Sequence, residues 1–213
     1  RDMADLPRDT ASRPLIGVVG EIYVRLNPFT NGKLVERIEE TGGEAWVAPI
    51  SEWFQYLAFL DRQKGKLERH GVKTKLKTTI KNKFMMRQEK ILAEAMRDII
   101  GDRHEPPITS TVAAGARHFP SQFDGESILT VGRAIEFAEQ GVDLIINCAP
   151  FGCMPGTLTS GIFQRLERKM GVPVVSLFFD GESDLSHLVR TYLANVGCVS
   201  GKKPAPAEVL HEA

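Results

Sequence analysis

Leu15-Ile16-Gly17-Val18-Val19-Gly20 is a run of six residues without one polar side chain, closed by glycine. A strand with one face in water alternates apolar and polar positions. An uninterrupted apolar run belongs to a strand buried on both faces, as in a parallel sheet covered by helices. The signal recurs along the chain. Glu44 to Pro49 holds Ala45, Trp46 and Val47. Val142 to Asn147 holds Val142, Leu144, Ile145 and Ile146, and Pro173 to Phe179 is almost wholly apolar.

Helical segments separate these runs. Helices are expected over Gly32 to Thr41, stopped by Gly42-Gly43, over Ser127 to Gln140, stopped by Gly141, and over Thr157 to Met170, stopped by Gly171. A closing helix runs from Ser183, its cap, to Val196. Between the second and third strands the chain does not return to the sheet. Residues 51–105 are helical in composition, strongly so from about Thr74 to Ile100, and form an insertion. The expected class is α/β, a flavodoxin-like or Rossmann-like parallel four-stranded sheet in the order 2-1-3-4. One domain spans 14–196, with polar tails at 1–13 and 197–213.

Ligands of open parallel sheets sit beyond the carboxyl ends of the strands, where the winding direction reverses. Here that point lies between the first and third strands. The facing loops are then Glu21–Asn31 and Cys148–Gly156, the two most unusual peptides in the chain.

Asn147-Cys148-Ala149-Pro150-Phe151-Gly152-Cys153-Met154-Pro155-Gly156-Thr157 places two cysteines, two prolines and two glycines at a strand end. The prolines and glycines fix an irregular backbone. The start of the following helix favours a charged sulfur. A C-x4-C pair cannot by itself complete a tetrahedral zinc site or a cubane cluster. Cys148 reads equally as a small core residue. Cys153, deeper in the loop, reads more readily as a ligand. Cys198 reads as structural.

The other loop holds Gly32-Lys33, but a phosphate loop is excluded. Asn27 stands where the first glycine belongs, and Leu34 where serine or threonine must follow the lysine. Glu21 and Arg25 remain as an ion pair or as weak substrate contacts, and Asn27 to Asn31 as caps for the next helix. Asp180-Gly181-Glu182 and Asp184 form an acidic turn. His104 and His118 have no second histidine at ligand spacing.

The chain carries 27 basic and 27 acidic residues, but unevenly: residues 61–90 hold 11 basic and 3 acidic. Arg62, Lys64, Lys66, Arg69, Lys73, Lys75, Lys77, Lys81, Lys83, Arg87 and Lys90 make a basic helical island. Few aromatic residues interleave with it, so a solvated face or a docking face for an acidic partner is expected rather than nucleic-acid binding. No apolar run is long enough for a membrane span. Three cysteines make no disulfide framework. Without an apolar leader, the chain reads as a cytoplasmic piece of a longer polypeptide.

Three segments together resemble one family. They are Ile16-Gly17-Val18-Val19-Gly20-Glu21-Ile22-Tyr23-Val24-Arg25, then Ala48-Pro49-Ile50-Ser51-Glu52-Trp53, then Cys148 to Thr157. They look like the C-terminal part of proteins related to 2-hydroxyacyl-CoA dehydratase subunits, closest to the acyl-CoA dehydratase activase-related proteins of anaerobic bacteria. The resemblance implies flavodoxin-like domains and a [4Fe-4S] cluster held by three cysteines, one from this region. Carried over by position, Cys153 matches that cysteine best and Cys148 is the second candidate. The resemblance further implies electron transfer from an ATP-dependent activase or activase domain, with an acyl-CoA substrate. The remaining ligands belong to domains outside this chain, so the chain alone is expected to be inactive and without the cluster. A cluster-bearing reductase or electron carrier would use the same parts, and a non-catalytic assembly module is the alternative.

Overall fold

The computed structural model describes residues 13–67, 72–101, 103, 105–118, 120, 125–182 and 185–199. Among the expectations, both polar tails save Arg13 and residues 197–199, together with Arg69, His104, Ser183 and Asp184, lie outside the described residues. So do the side chains of Lys64, Lys66, Lys73, Lys75, Lys77, Lys81 and Cys198.

Strands β1 (Leu15–Gly20), β2 (Glu44–Val47), β3 (Leu144–Pro150) and β4 (Val174–Phe179) form one sheet in the order β2-β1-β3-β4. All three pairings are parallel, with Gly17 opposite Trp46, Val18 opposite Ile146, and Ile146 opposite Val175. The chain is therefore an α/β protein with a flavodoxin-like sheet.

The described chain divides into two compact units: the helical Ile50–Thr109, and the sheet with what surrounds it. The helical unit holds α3 (Ser51–Leu67), α4 (Val72–Ala95) and α5 (Arg97–Ile100), and none of its described residues lies in a strand. Glu89 on α4 accepts hydrogen bonds from Ser51 Oγ at 2.6 Å and Gln55 Nε2 at 2.5 Å on α3. Tyr56 stacks on Phe59 with ring centres 6.4 Å apart.

In the sheet unit, α1 (Ile22–Leu26), α2 (Leu34–Glu40) and α9 (Ser186–Val199) stand on one side of the sheet. They enclose Ile16, Val18, Ile146, Cys148 and Leu177 with Val24, Leu34, Ile38 and Leu193. The other side carries α7 (Glu126–Glu139) and α8 (Met154–Met170), packed on Val19 and Ile145 through Phe137, Phe163 and Leu166. Alternate residues of β3 thus enter different cores, as the pleat requires.

Helix α7 is buried over Ser127 to Phe137 because another helix, α6 (Ile108–Ala116), lies against it through its part from Ser110 onward. Gly132 makes that approach possible, since a Cβ there would stand 1.9 Å from the Thr111 carbonyl oxygen. The buried Glu136 carboxylate accepts from Ser110 Oγ at 2.6 Å and Thr111 Oγ1 at 2.9 Å, with Arg133 Nη1 3.5 Å away. Hydroxyl donors and a nearby cation satisfy a charge that burial would otherwise disfavour.

Several boundaries depart from the sequence expectation. β3 runs from Leu144 to Pro150 rather than from Val142 to Asn147. Asp143 is not extended strand; its Oδ2 accepts from Leu15 N at 2.8 Å, fixing the entry to β1. Pro150 can end the strand because β1 stops opposite Cys148, leaving Pro150 paired with β4 alone, as on a sheet edge. α8 begins at Met154, not Thr157, because Pro155 falls in the first turn, where its absent N–H is not needed. The expected loop Glu21–Asn31 contains α1, and α6 was not anticipated.

Candidate functional site at the carboxyl ends of β1 and β3

The last paired residues of β1 and β3 are Gly20 and Cys148. Gly20 has φ +112°, and a Cβ on it would lie 2.0 Å from the Cys148 carbonyl oxygen. Glu21 N then donates to that same oxygen at 2.7 Å. The chain leaves β1 in close backbone contact with β3, and only glycine fits this bend.

The next turn becomes α1 because Glu21 caps it. Its carboxylate accepts from Tyr23 N at 3.1 Å and Val24 N at 2.8 Å. Arg25 is 4% exposed; its Nη1 donates to Gly20 O at 2.9 Å and its Nη2 to Pro49 O at 3.3 Å. The guanidinium thereby ties the exit of β1 to the segment after β2. Asn31 is equally buried. Its Nδ2 donates to Val24 O at 2.8 Å, while its Oδ1 accepts from Leu34 N, the first residue of α2, at 3.1 Å; the N-cap position itself is Lys33, which makes no side-chain cap. Both sequence-selected charges of this loop, Glu21 and Arg25, thus hold backbone in place.

Cys148 lies within β3 and not in the loop expected to begin there. It is completely buried beneath α1 in the core with Val24 and Leu177. Burial pushes its thiol up to about 12, against the opposing pull of the Arg25 guanidinium. A thiol so held is a poor ligand and a good core residue.

Cys153 is placed differently. The peptide Phe151-Gly152-Cys153 is the whole of the connection between β3 and α8. Phe151 N donates to Phe179 O at 2.9 Å, extending the pairing with β4, and Cys153 N donates to Pro150 O at 3.1 Å. Gly152 takes φ +76° to make the turn. Cys153 is the N-cap of α8: its half-buried Sγ accepts from Gly156 N at 3.4 Å. Gly156 is required because a Cβ there would lie 2.4 Å from the Ala149 Cβ. Helix α8 covers the side of the sheet opposite Cys148. The C-x4-C spacing therefore sends its two sulfurs to different sides, one into the core and one to the helix start.

A polar network that the sequence reading missed runs beneath Cys153. Asn147, fully buried, donates through Nδ2 to Ser176 Oγ at 3.0 Å and to Thr159 Oγ1 at 3.3 Å. Thr159 Oγ1 donates to Gly156 O at 3.0 Å. Asn147 Oδ1 is buried with no hydrogen-bond partner among the described residues. An asparagine closing an otherwise apolar strand was the available signal. The residues either side of Cys153 include exposed apolar side chains: Phe151 is 78% exposed and Met154 66%.

Asp180 Oδ1 accepts from Glu182 N at 3.0 Å. His118 is half-buried, with its basicity lowered first by burial and then by Lys169 and Arg117. Of the basic island, Arg62, Lys83, Arg87 and Lys90 are exposed. Among the described residues, no three of His, Cys, Asp and Glu gather as a metal site, and no helix is long and apolar enough to cross a membrane. A cubane cluster takes three or four thiolates. Of the two cysteines whose side chains are described, Cys148 is buried and only Cys153 is partly exposed, so the described residues do not supply that set. No protein-family model, no curated protein and no solved structure matches the chain.

Proposed function

We propose that this chain is one wall of a shared [4Fe-4S] site, with Cys153 giving one thiolate and other domains or a partner giving the rest. The reading follows the resemblance to the 2-hydroxyacyl-CoA dehydratase and activase-related proteins. In that setting an ATP-dependent activase is the electron source and an acyl-CoA the substrate. The observation that carries it is Cys153 itself: the half-buried N-cap of α8, at the carboxyl end of the strand beside β1. Phe151 and Met154, exposed close to Cys153 in sequence, supply apolar surface for another domain to cover.

When bound, such a cluster supplies one-electron transfer. The chain's own contribution is positioning and electrostatics. The β3–α8 turn holds the sulfur in place through Gly152, Pro155 and Gly156. The Gly156 N–H points at Cys153 Sγ, and donors to sulfur are one means by which proteins set a cluster's potential. The first turn of α8 adds the positive end of the helix dipole. Asn147 and Thr159 anchor that turn to the sheet.

A second reading has the same hydrogen bond in its favour. If the sulfur serves only as a helix cap, the chain is a non-catalytic assembly module. Iron and acid-labile sulfide analysis of the intact protein, purified without oxygen, separates the two. The cluster reading expects stoichiometric iron and sulfide in equal amounts. Absence of both supports the module.

A further inference from the structure

The chain holds five asparagines, and one of them, Asn31, precedes a glycine. In that pair the next backbone nitrogen can reach the side-chain carbonyl carbon, because glycine has no Cβ to block the approach. The other asparagines are closed to this chemistry. Asn27 is followed by Pro28, which has no N–H. Asn82 and Asn195 lie inside α4 and α9, where the helix bonds the next N–H. Asn147 is fully buried within β3.

Around Asn31 the backbone is bonded on either side: Asn31 N donates to Asn27 O at 3.1 Å and Lys33 N to Pro28 O at 2.8 Å. The Gly32 N–H between them has no acceptor among the described residues. The attacking nitrogen is thus free, while its target is held. Asn31 is 4% exposed, and its Nδ2 donates to Val24 O at 2.8 Å and Arg25 O at 3.2 Å. Its Oδ1 accepts from Leu34 N at 3.1 Å. These three bonds must break before the amide can react, which requires the connection between α1 and α2 to open. The product does not fit back. A carboxylate oxygen in the place of Nδ2 would face two carbonyl oxygens with no proton between them.

We propose that Asn31–Gly32 is a self-modification site that makes opening of the α1–α2 connection irreversible. In the opened chain Gly32 N bonds to Asn31 Cγ, the Cγ–Nδ2 bond breaks, and ammonia leaves with the proton from Gly32 N. Water then adds to either carbonyl of the resulting succinimide, and ring opening leaves aspartate or isoaspartate. Arg25 belongs to the same turn and bonds Gly20 O and Pro49 O, so the change also loosens the exit of β1. The site is independent of Cys153.

The test incubates the intact chain in mildly alkaline buffer, native, in sub-denaturing urea and fully unfolded. Mass spectrometry of the peptide spanning Asn31, with isoaspartyl methyltransferase labelling, follows the conversion. It should run about a hundredfold slower in the native than in the unfolded chain, the ratio that three hydrogen bonds imply. It should quicken with urea below the unfolding midpoint. Val24→Ala loosens the packing of α1 and should speed native conversion while leaving the unfolded rate unchanged, with circular dichroism checking that it folds. Gly32→Ala should slow conversion of the unfolded chain, a readout that needs no folding. The converted protein, separated by its added negative charge, should unfold at lower urea than the unmodified one. Equal native and unfolded rates, or a native rate indifferent to urea and to Val24→Ala, overturns the proposal. So does an unfolded chain that does not convert at Asn31, or a converted protein with an unchanged midpoint.

Discussion

Gly20 lies against the backbone of Cys148, so close that a Cβ on Gly20 would stand 2.0 Å from the Cys148 carbonyl oxygen. That oxygen also accepts from Glu21 N at 2.7 Å. The pair welds the exit of β1 to β3 where the winding of the sheet reverses. Everything positioned by the β1 loop, from the Glu21 cap to the buried Arg25, starts from this contact.

Gly20→Ala should therefore be among the most damaging small substitutions in the sheet unit. It meets both a left-handed φ of +112° and a collision with backbone that cannot swing aside. Together these should remove about 3 kcal/mol or more. Gly152→Ala is the control: its φ is +76°, but nothing lies within 4 Å of the added carbon. It should cost only about 1 kcal/mol. Urea unfolding of both variants checks the contrast, and equal losses would contradict it.

The two cysteines of the β3 end should differ in reactivity. In a Cys198→Ser background, iodoacetamide should label Cys153 in the native protein. Cys148, fully buried, should react only after unfolding. Peptide mapping of the labelled sites reads this directly; native labelling of Cys148 would show that its core opens.

Cys148 should also make stability fall in alkali. Its thiol is raised by burial from 9.0 to about 12. Between those values the unfolded chain loses the proton while the folded chain keeps it. Linkage then gives a stability contribution that is full below pH 9 and declines as pH rises toward 12. Cys148→Ala should flatten that decline, whatever its effect near neutrality. Urea midpoints against pH for the two proteins measure the difference; parallel curves would refute the assignment.

The sheet was legible because its strands are apolar on both faces and its helices end at glycine. What stayed hidden depends on contacts between distant residues. Helix α1 is only five residues long, too short for periodicity, and exists because Glu21 caps it. The end of β3 was misjudged because Cys148, Ala149 and Pro150 look like a loop, whereas pairing of all three with β4 keeps them in the strand. That error put Cys148 in the loop, whereas Cys153 does lie in the connection between β3 and α8. Arg25 and Glu21 were visible as charges, but not as residues bonded to backbone. Asn147 was passed over because nothing local reveals that Thr159 and Ser176 would converge on it.

The α6–α7 contact offers an independent check on the sheet unit. Gly132→Ala would drive its methyl carbon to 1.9 Å from the Thr111 carbonyl oxygen. Helix α6 must then move away and uncover the Glu136 carboxylate that Ser110 and Thr111 satisfy. A loss of about 2–4 kcal/mol is expected, combining overpacking with a buried acceptor left bare. Hydrogen exchange should show α6 protection falling before that of β1 and β3. Unchanged protection in α6 would contradict the packing.

Iron content of the anaerobically purified intact protein, compared between wild type and Cys153→Ala, is the most direct test of the central claim. Cys153→Ala removes one sulfur and its bond to Gly156 N, with little else to disturb. The cluster account predicts that iron and sulfide fall well below wild type while the thermal midpoint changes by only a few degrees. Cys198→Ala should retain both iron and sulfide. Full iron in the Cys153→Ala protein would contradict the account and leave Cys153 as a helix cap.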